Sequence, residues 1–177
     1  LASPLRDVYK RQVQLNTNIL QIENEYYSNI RPKRVPYSGE RVLHALNARG
    51  VQYVEIRCLD INPFSSLGID LEQAYFLDAF LLFCALYKSP SLSQDSLNQA
   101  NNNFHLVAEK GRKPNLELQN GDSSIAMYDW AQELLANIRP LANLLDHAND
   151  INKHKEAIYA QQAKIENSFL TPSSKVL

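Results

Sequence analysis

Glu55 and Arg57 stand two residues apart within residues 51–60, VQYVEIRCLD. Successive side chains of a strand point to opposite faces, so these two would stand side by side. An acid and a guanidinium presented together suit two kinds of ligand. The carboxylate can hold a divalent cation, and the planar fork of arginine matches phosphate oxygens two at a time. The plainer role of a lone E-x-R is a solvated ion pair on a sheet face, which contributes little stability. A second chemistry-bearing run lies upstream. Glu23 and Glu25 share a face of residues 19–27 with Gln21 and Tyr27, and Arg31, Lys33 and Arg34 follow at once. Two acids followed by three bases fit either a magnesium–nucleotide site or a solvent-facing strand and its loop.

The elements that must carry these groups are two strands. Residues 51–60 alternate, with Val54, Ile56 and Cys58 on an apolar face and Tyr53, Glu55 and Arg57 on the polar one, until Pro63 prevents further pairing. Residues 19–27 alternate in the same way, and residues 30–34 read as a basic loop stiffened by Pro32. Between them, residues 40–48 predict a short helix stopped by Gly50.

Downstream the pattern is helical. Asp70-x-x-Gln73 has the form of a capping box opening a helix over 71–87. That helix is apolar around most of its circumference, yet Glu72 and Asp78 interrupt it and its clean apolar run is far short of the roughly 20 residues a bilayer requires. A buried core helix is the expectation. A polar, Asn-rich helix follows over 93–110, closed by Gly111. Ser123 or Ser124 is expected to cap a helix reaching Asn149, with Leu134, Leu135, Ile138, Leu141, Leu144 and Leu145 as its apolar stripe. Pro140 should kink or divide it. Residues 151–168 predict an amphipathic helix, and 170–174 the entry to another.

Composition narrows the function classes. The 177 residues carry a net charge of −1, which leaves no electrostatic footprint for nucleic acid, and only five glycines, with no G-x-x-x-x-G-K motif. Cys58 and Cys84 lack metal spacing and are expected to be buried small hydrophobes. His44, His105, His147 and His154 are scattered and read as surface or helix residues without a metal role. No apolar signal-peptide core opens the chain, which points to the cytoplasm and away from the membrane. Residues 1–12, LASPLRDVYKRQ, are basic, aperiodic and lack an initiating Met; they resemble a translated adapter, leaving 13–177 as a partial domain truncated at both ends.

Four stretches carry a resemblance. QLNTNILQIENEYYSNIRPKR, GVQYVEIRCLDINPFSSLGID, FLDAFLLFCALYKSPSLS and EKGRKPNLEL occur in this order. Together they resemble the C-terminal portion of the bacterial glutamate–cysteine ligase (gamma-glutamylcysteine synthetase) family. The resemblance implies an α+β fold of glutamine-synthetase type, here two strands of an antiparallel sheet followed by a mostly helical part. It implies an ATP- and Mg²⁺-dependent ligase that phosphorylates the glutamate side chain and passes it to the amine of cysteine, the first step of glutathione synthesis, acting as a monomer when full length. By the same resemblance Glu55 is a metal ligand and Arg57 contacts the transferred phosphoryl group. Tyr27 lines the cysteine pocket, Asn24 lies near that pocket, and Arg31 approaches phosphate or pairs with the glutamates, as does Arg34. Strand alternation puts Asn24 on the face opposite Tyr27. With the family's upstream carboxylates outside this sequence, the chain alone is expected to be inactive. Two other readings stay open: a carboxylate–amine ligase with a different acceptor, and a non-catalytic helical interaction domain in which Glu55 and Arg57 are a surface pair.

Overall fold

The computed structural model describes residues 28–89 and 91–176, which fall into two compact units divided between Asp60 and Ile61. The expected strand over 19–27, with Glu23, Asn24, Glu25 and Tyr27, lies outside the described residues, as does the 1–12 stretch.

The described part of the first unit is a strand, a helix and a strand: β1 (Ile30–Lys33), α1 (Val42–Arg49) and β2 (Tyr53–Ile56). The two strands pair antiparallel, with Ile30 opposite Ile56, Arg31 opposite Glu55, Pro32 opposite Val54 and Lys33 opposite Tyr53. The expected basic loop is therefore itself a strand. Proline is admissible there because of which way its nitrogen points. The Asn29 carbonyl accepts from the Arg57 N–H and the Lys33 carbonyl from the Gln52 N–H, so by alternation the Pro32 nitrogen faces away from β2 and costs no ladder bond. The second strand is shorter than the ten-residue pattern suggested. Its apolar side is also less covered than expected: Ile30 and Val54 are about half exposed, at 53% and 44%. The fully buried Ala45 anchors α1, which stops at Gly50, where φ of 72° favours a residue without a Cβ.

The second unit is built around helices. Asp70 and Gln73 form the expected capping box, with the Gln73 N–H donating to Asp70 Oδ1 at 2.8 Å and the Asp70 N–H to Gln73 Oε1 at 3.1 Å. They open α2 (Leu71–Leu86). Ser93 caps α3 (Gln94–Lys110). One of the asparagines of that helix, Asn103, bonds both the N–H and the carbonyl of Gln119 and so braces a hairpin. That hairpin, β3 (Glu117–Asn120) and β4 (Ser123–Ala126), replaces the expected helix cap at Ser123 or Ser124. Gly121-Asp122 is the two-residue loop that decides it, with Gly121 at φ 62° in its first position.

The next helix, α4 (Met127–Asn149), thus begins at Met127 and runs through Pro140 undivided. It packs on α5 (Lys153–Glu166), after which a 3-10 turn (Ser168–Leu170) leads to α6 (Pro172–Val176), with proline at its first position where no N–H is needed. Ala79, Leu135, Ile138, Ala142 and Ile158 form the core, with Phe76, Phe80 and Phe83 packed on it. Two expectations fail here. Cys84 is exposed because α4 and α5 cover α2 along one side only, and Cys58, just past β2 in the first unit, is half-buried. Leu144 points outward, 56% exposed, one position off the stripe that holds Leu141 and Leu145. No helix among the described residues is long and apolar enough to cross a membrane.

Candidate active site

Strand register decides what Glu55 and Arg57 meet. Arg31 and Glu55 are opposite each other, as are Lys33 and Tyr53, and opposed residues share a face. One face of the β1–β2 pair therefore carries Arg31, Lys33, Tyr53, Glu55 and Arg57, and the other Ile30, Pro32, Val54 and Ile56. The alternation read from the sequence holds in detail, with three cations and one carboxylate on a single polar face.

Glu55 is the centre of that face. Its Oε1 accepts from Arg57 Nε at 2.9 Å and lies 2.8 Å from Arg57 Nη2, while its Oε2 lies 3.1 Å from Lys33 Nζ. The Arg57 hydrogen bond first, and the Lys33 ammonium beside Oε2 second, hold the carboxyl below the usual glutamate range, outweighing the desolvation that opposes ionisation. The approach of Lys33 to Oε2 is a charge contact rather than a well-angled hydrogen bond, so this oxygen, shielded from solvent, keeps acceptor capacity. Arg31 makes no ion pair among the described residues although it stands directly opposite Glu55. Arg34 turns elsewhere: its Nε donates to the Gly50 carbonyl at 2.6 Å and ties the end of α1 to the strand.

Such a face binds anions better than cations. Three positive groups surround one negative one, and arginine and lysine are the side chains that hold phosphate. The under-used Oε2 of Glu55 fits one contact to Mg²⁺, but the described residues bring no second carboxylate to it and contain no group of three His, Cys, Asp or Glu suited to a metal. Magnesium bound here would take its remaining ligands from phosphate, water or other residues. Tyr27 and Asn24, the expected substrate contacts, lie outside the described residues.

Two arrangements were not legible from sequence patterns. Arg49 grips Glu40 through both nitrogens, Nη1 to Oε1 at 2.9 Å and Nη2 to Oε2 at 2.7 Å, and the Tyr37 N–H adds a bond at 2.8 Å. The Arg49 contact first, and the Tyr37 N–H second, lower the Glu40 carboxyl to about 2. This pair closes the turn ahead of α1. The other is His154, expected on a surface or a helix, which lies on α5 but is only 2% exposed. Its Nδ1 lies 2.7 Å from Asp146 Oδ1 and its Nε2 3.1 Å from Asp78 Oδ2, and the Tyr75 ring meets it edge-on at 4.9 Å. With Asp146 at its back and an N–H-donating Nδ1, this cluster locks α5 to α4. A cleft of the second unit, about 520 Å³, is lined by Asn62, Asp70, Glu72, Lys164 and Lys175 among others, none of them a residue singled out for chemistry by the sequence.

Known proteins match this chain closely. The sequence profile described as glutamate-cysteine ligase matches residues 6–107. Glutamate–cysteine ligases of Pseudomonas putida and of Pseudomonas fluorescens are 61% and 59% identical to it over 165 residues, 93% of this chain and 31% of each relative. A crystal structure of the Francisella tularensis glutamate–cysteine ligase in complex with AMP superposes with a TM-score of 0.82 at 38% identity, covering 98% of this chain and 34% of that one. The chain thus spans about a third of the length of the relatives it matches. The α+β architecture expected from the sequence stands, and the chain belongs to the glutamate–cysteine ligase family.

Proposed function

We propose that this chain supplies the phosphate-binding wall of an ATP-dependent ligase that joins the side-chain carboxylate of glutamate to the amine of cysteine. The observation that carries the reading is the polar face of the β1–β2 pair, where Arg57 is fixed on Glu55 beside Lys33 and opposite Arg31. Its family membership and the AMP bound to the Francisella relative support a nucleotide as one ligand.

Forming a gamma-glutamyl phosphate requires that charge spread over the transferred phosphoryl oxygens be neutralised by groups already in position. Arg57 does this: Glu55 grips its Nε–Nη2 edge and sets the plane of the guanidinium. Arg31, on the same face, binds a neighbouring phosphate. Glu55 Oε2 would offer one oxygen to Mg²⁺, which would supply Lewis-acid stabilisation of the phosphoryl charge. Tyr27 and Asn24 contact the cysteine substrate, and residues 13–177 belong to the ligase domain of a cytoplasmic, monomeric enzyme.

The test is a chimera in which this chain replaces the aligned 165-residue segment of the Pseudomonas putida relative. The chimera should form gamma-glutamylcysteine from ATP, glutamate and cysteine. Arg57→Ala should cut its turnover by about 100-fold or more, the cost of removing one preorganised donor at a developing charge, without lowering its melting temperature. Arg57→Lys should recover little, since an ammonium does not reproduce the fork. Turnover unchanged by Arg57→Ala would remove the arginine from the chemistry.

A further inference from the structure

Lys33 is the one cation of the polar face to which the resemblance gives no role. The residue directly opposite Glu55 is Arg31, yet the cation beside Oε2 is Lys33, one diagonal step away, at 3.1 Å. Diagonal neighbours across a two-stranded pair are within reach of a long side chain. Lys33 is also not an ordinary solvated lysine: its side chain is only 26% exposed and that of Glu55 33%. An ion pair this close to the surface adds little to stability and requires a long, flexible side chain to give up its freedom. What it does fix is the carboxylate. Arg57 holds Glu55 from Oε1 and Lys33 holds it from Oε2, so neither oxygen can rotate away without losing a charged partner.

We propose that Lys33 is a positioning residue of the phosphate-binding face, acting through Glu55 to hold the Arg57 guanidinium in place. This rests on the functional reading above. Without Lys33 the Glu55 carboxylate is held from one side only, and the Nε–Nη2 edge of the guanidinium that it grips is set less firmly. A displacement of about 1 Å at a catalytic group can cost on the order of 100-fold in rate. Lys33 touches neither the transferred group nor the metal in this scheme, so its loss should lower kcat and raise the KM for MgATP while leaving the KM for glutamate where it was.

Two measurements decide it. In the 177-residue chain, the Arg57 Nε–H should give an NMR signal protected from exchange by its bond to Glu55. Lys33→Met should broaden or abolish that signal, Lys33→Gln should do the same with the stem kept polar, and Lys33→Arg should restore it. In the chimera, Lys33→Met should lower kcat by about tenfold or more, with Lys33→Arg recovering most of the loss. An Arg57 signal unchanged in both Lys33→Met and Lys33→Gln, or a turnover within about twofold of the parent, overturns the proposal. A chimera with no ligase activity at all overturns the functional reading instead. The Arg57 signal then decides Lys33 alone: its loss in the variants upholds the positioning role and its persistence refutes it.

Discussion

Replacing Asp146 by alanine should be among the most damaging single changes in the second unit, although Asp146 does no chemistry. It lies in the last turn of α4 and is 5% exposed. Its Oδ1 accepts from the His154 N–H at 2.9 Å and from His154 Nδ1 at 2.7 Å, and its Oδ2 from the Lys155 N–H at 2.8 Å. His154 and Lys155 are the second and third residues of α5, whose first N–H groups have no partner within their own helix. Asp146 is therefore a cap supplied by the neighbouring helix. Alanine removes that cap, which costs about 1 kcal/mol, and leaves a buried ring N–H without an acceptor, a further 1–3 kcal/mol or so. The sum is about 3 kcal/mol, within reach of the whole stability of a small domain. Trp130 is the only tryptophan and sits on α4, so its fluorescence follows unfolding of this unit in urea. With a urea slope of roughly 1–3 kcal/mol/M, the midpoint should fall by about 1 M or more, and Asp146→Asn, which keeps one acceptor, should fall less. Acid adds a second check. Burial opposes ionisation of Asp146, but the N–H groups of Lys155 and His154 and then the His154 ring outweigh it and hold the carboxyl below the ordinary 3.8. A lowered folded value gives stability that is complete above about 3.8 and is lost as pH falls through the folded value. The gap between parent and variant should therefore persist at about pH 5 and narrow progressively as pH falls below about 4. A midpoint for Asp146→Ala within about 0.3 M of the parent would refute the cap.

The Glu40–Arg49 pair makes a parallel prediction in the first unit. Glu40 falls to about 2 from an ordinary 4.5, so what it contributes is complete above 4.5 and is lost between 4.5 and 2. A carbon-13 titration of the Glu40 carboxyl should show a midpoint near 2, and in Arg49→Gln it should return toward 4.5. A midpoint of about 4 or above in the parent would mean the pair does not form in solution. The isolated chain makes the other. Incubated with ATP, Mg²⁺, glutamate and cysteine, residues 1–177 should produce no gamma-glutamylcysteine above the rate without protein, because the described residues bring one carboxylate to the phosphate face. An ordinary rate from the isolated chain would show that this wall suffices.

What the sequence made legible follows from how far apart the interacting groups are along the chain. Glu55 and Arg57 are two residues apart, and strand alternation alone puts them together. The capping box of Asp70 and Gln73, three residues apart, and the stop at Gly50 are local in the same sense, and each formed as expected. The hairpin loop Gly121-Asp122 is equally local, but Ser123 or Ser124 before an apolar run fits both a strand and a helix start. Burial of α2 was over-read for a different reason. An all-round apolar pattern says that a helix would tolerate burial on every side, whereas α4 and α5 cover one side and leave Cys84 and Leu86 exposed.

The groups that were missed are those whose meeting depends on register or topology. Lys33 and Glu55 are 22 residues apart and meet because β1 pairs with β2 in one register; a shift by a single residue would turn Lys33 to the apolar face. That is why Pro32 matters more than its reading as a loop stiffener suggested. With its nitrogen facing away from β2 it is compatible with the observed register, and in a register displaced by one it would take the place of a ladder donor. The proline thus selects against the slipped pairing, and with it the arrangement in which Glu55 faces Arg31 and takes Lys33 as its second cation is retained. His154 meets Asp78 across 76 residues, through the packing of α2 on α5, and no spacing rule reaches that far. The pair Glu55–Arg57 is written locally and survives small shifts of the fold, whereas the contact of Lys33 with Glu55 exists only when the two strands align in the observed register, with which Pro32 is compatible.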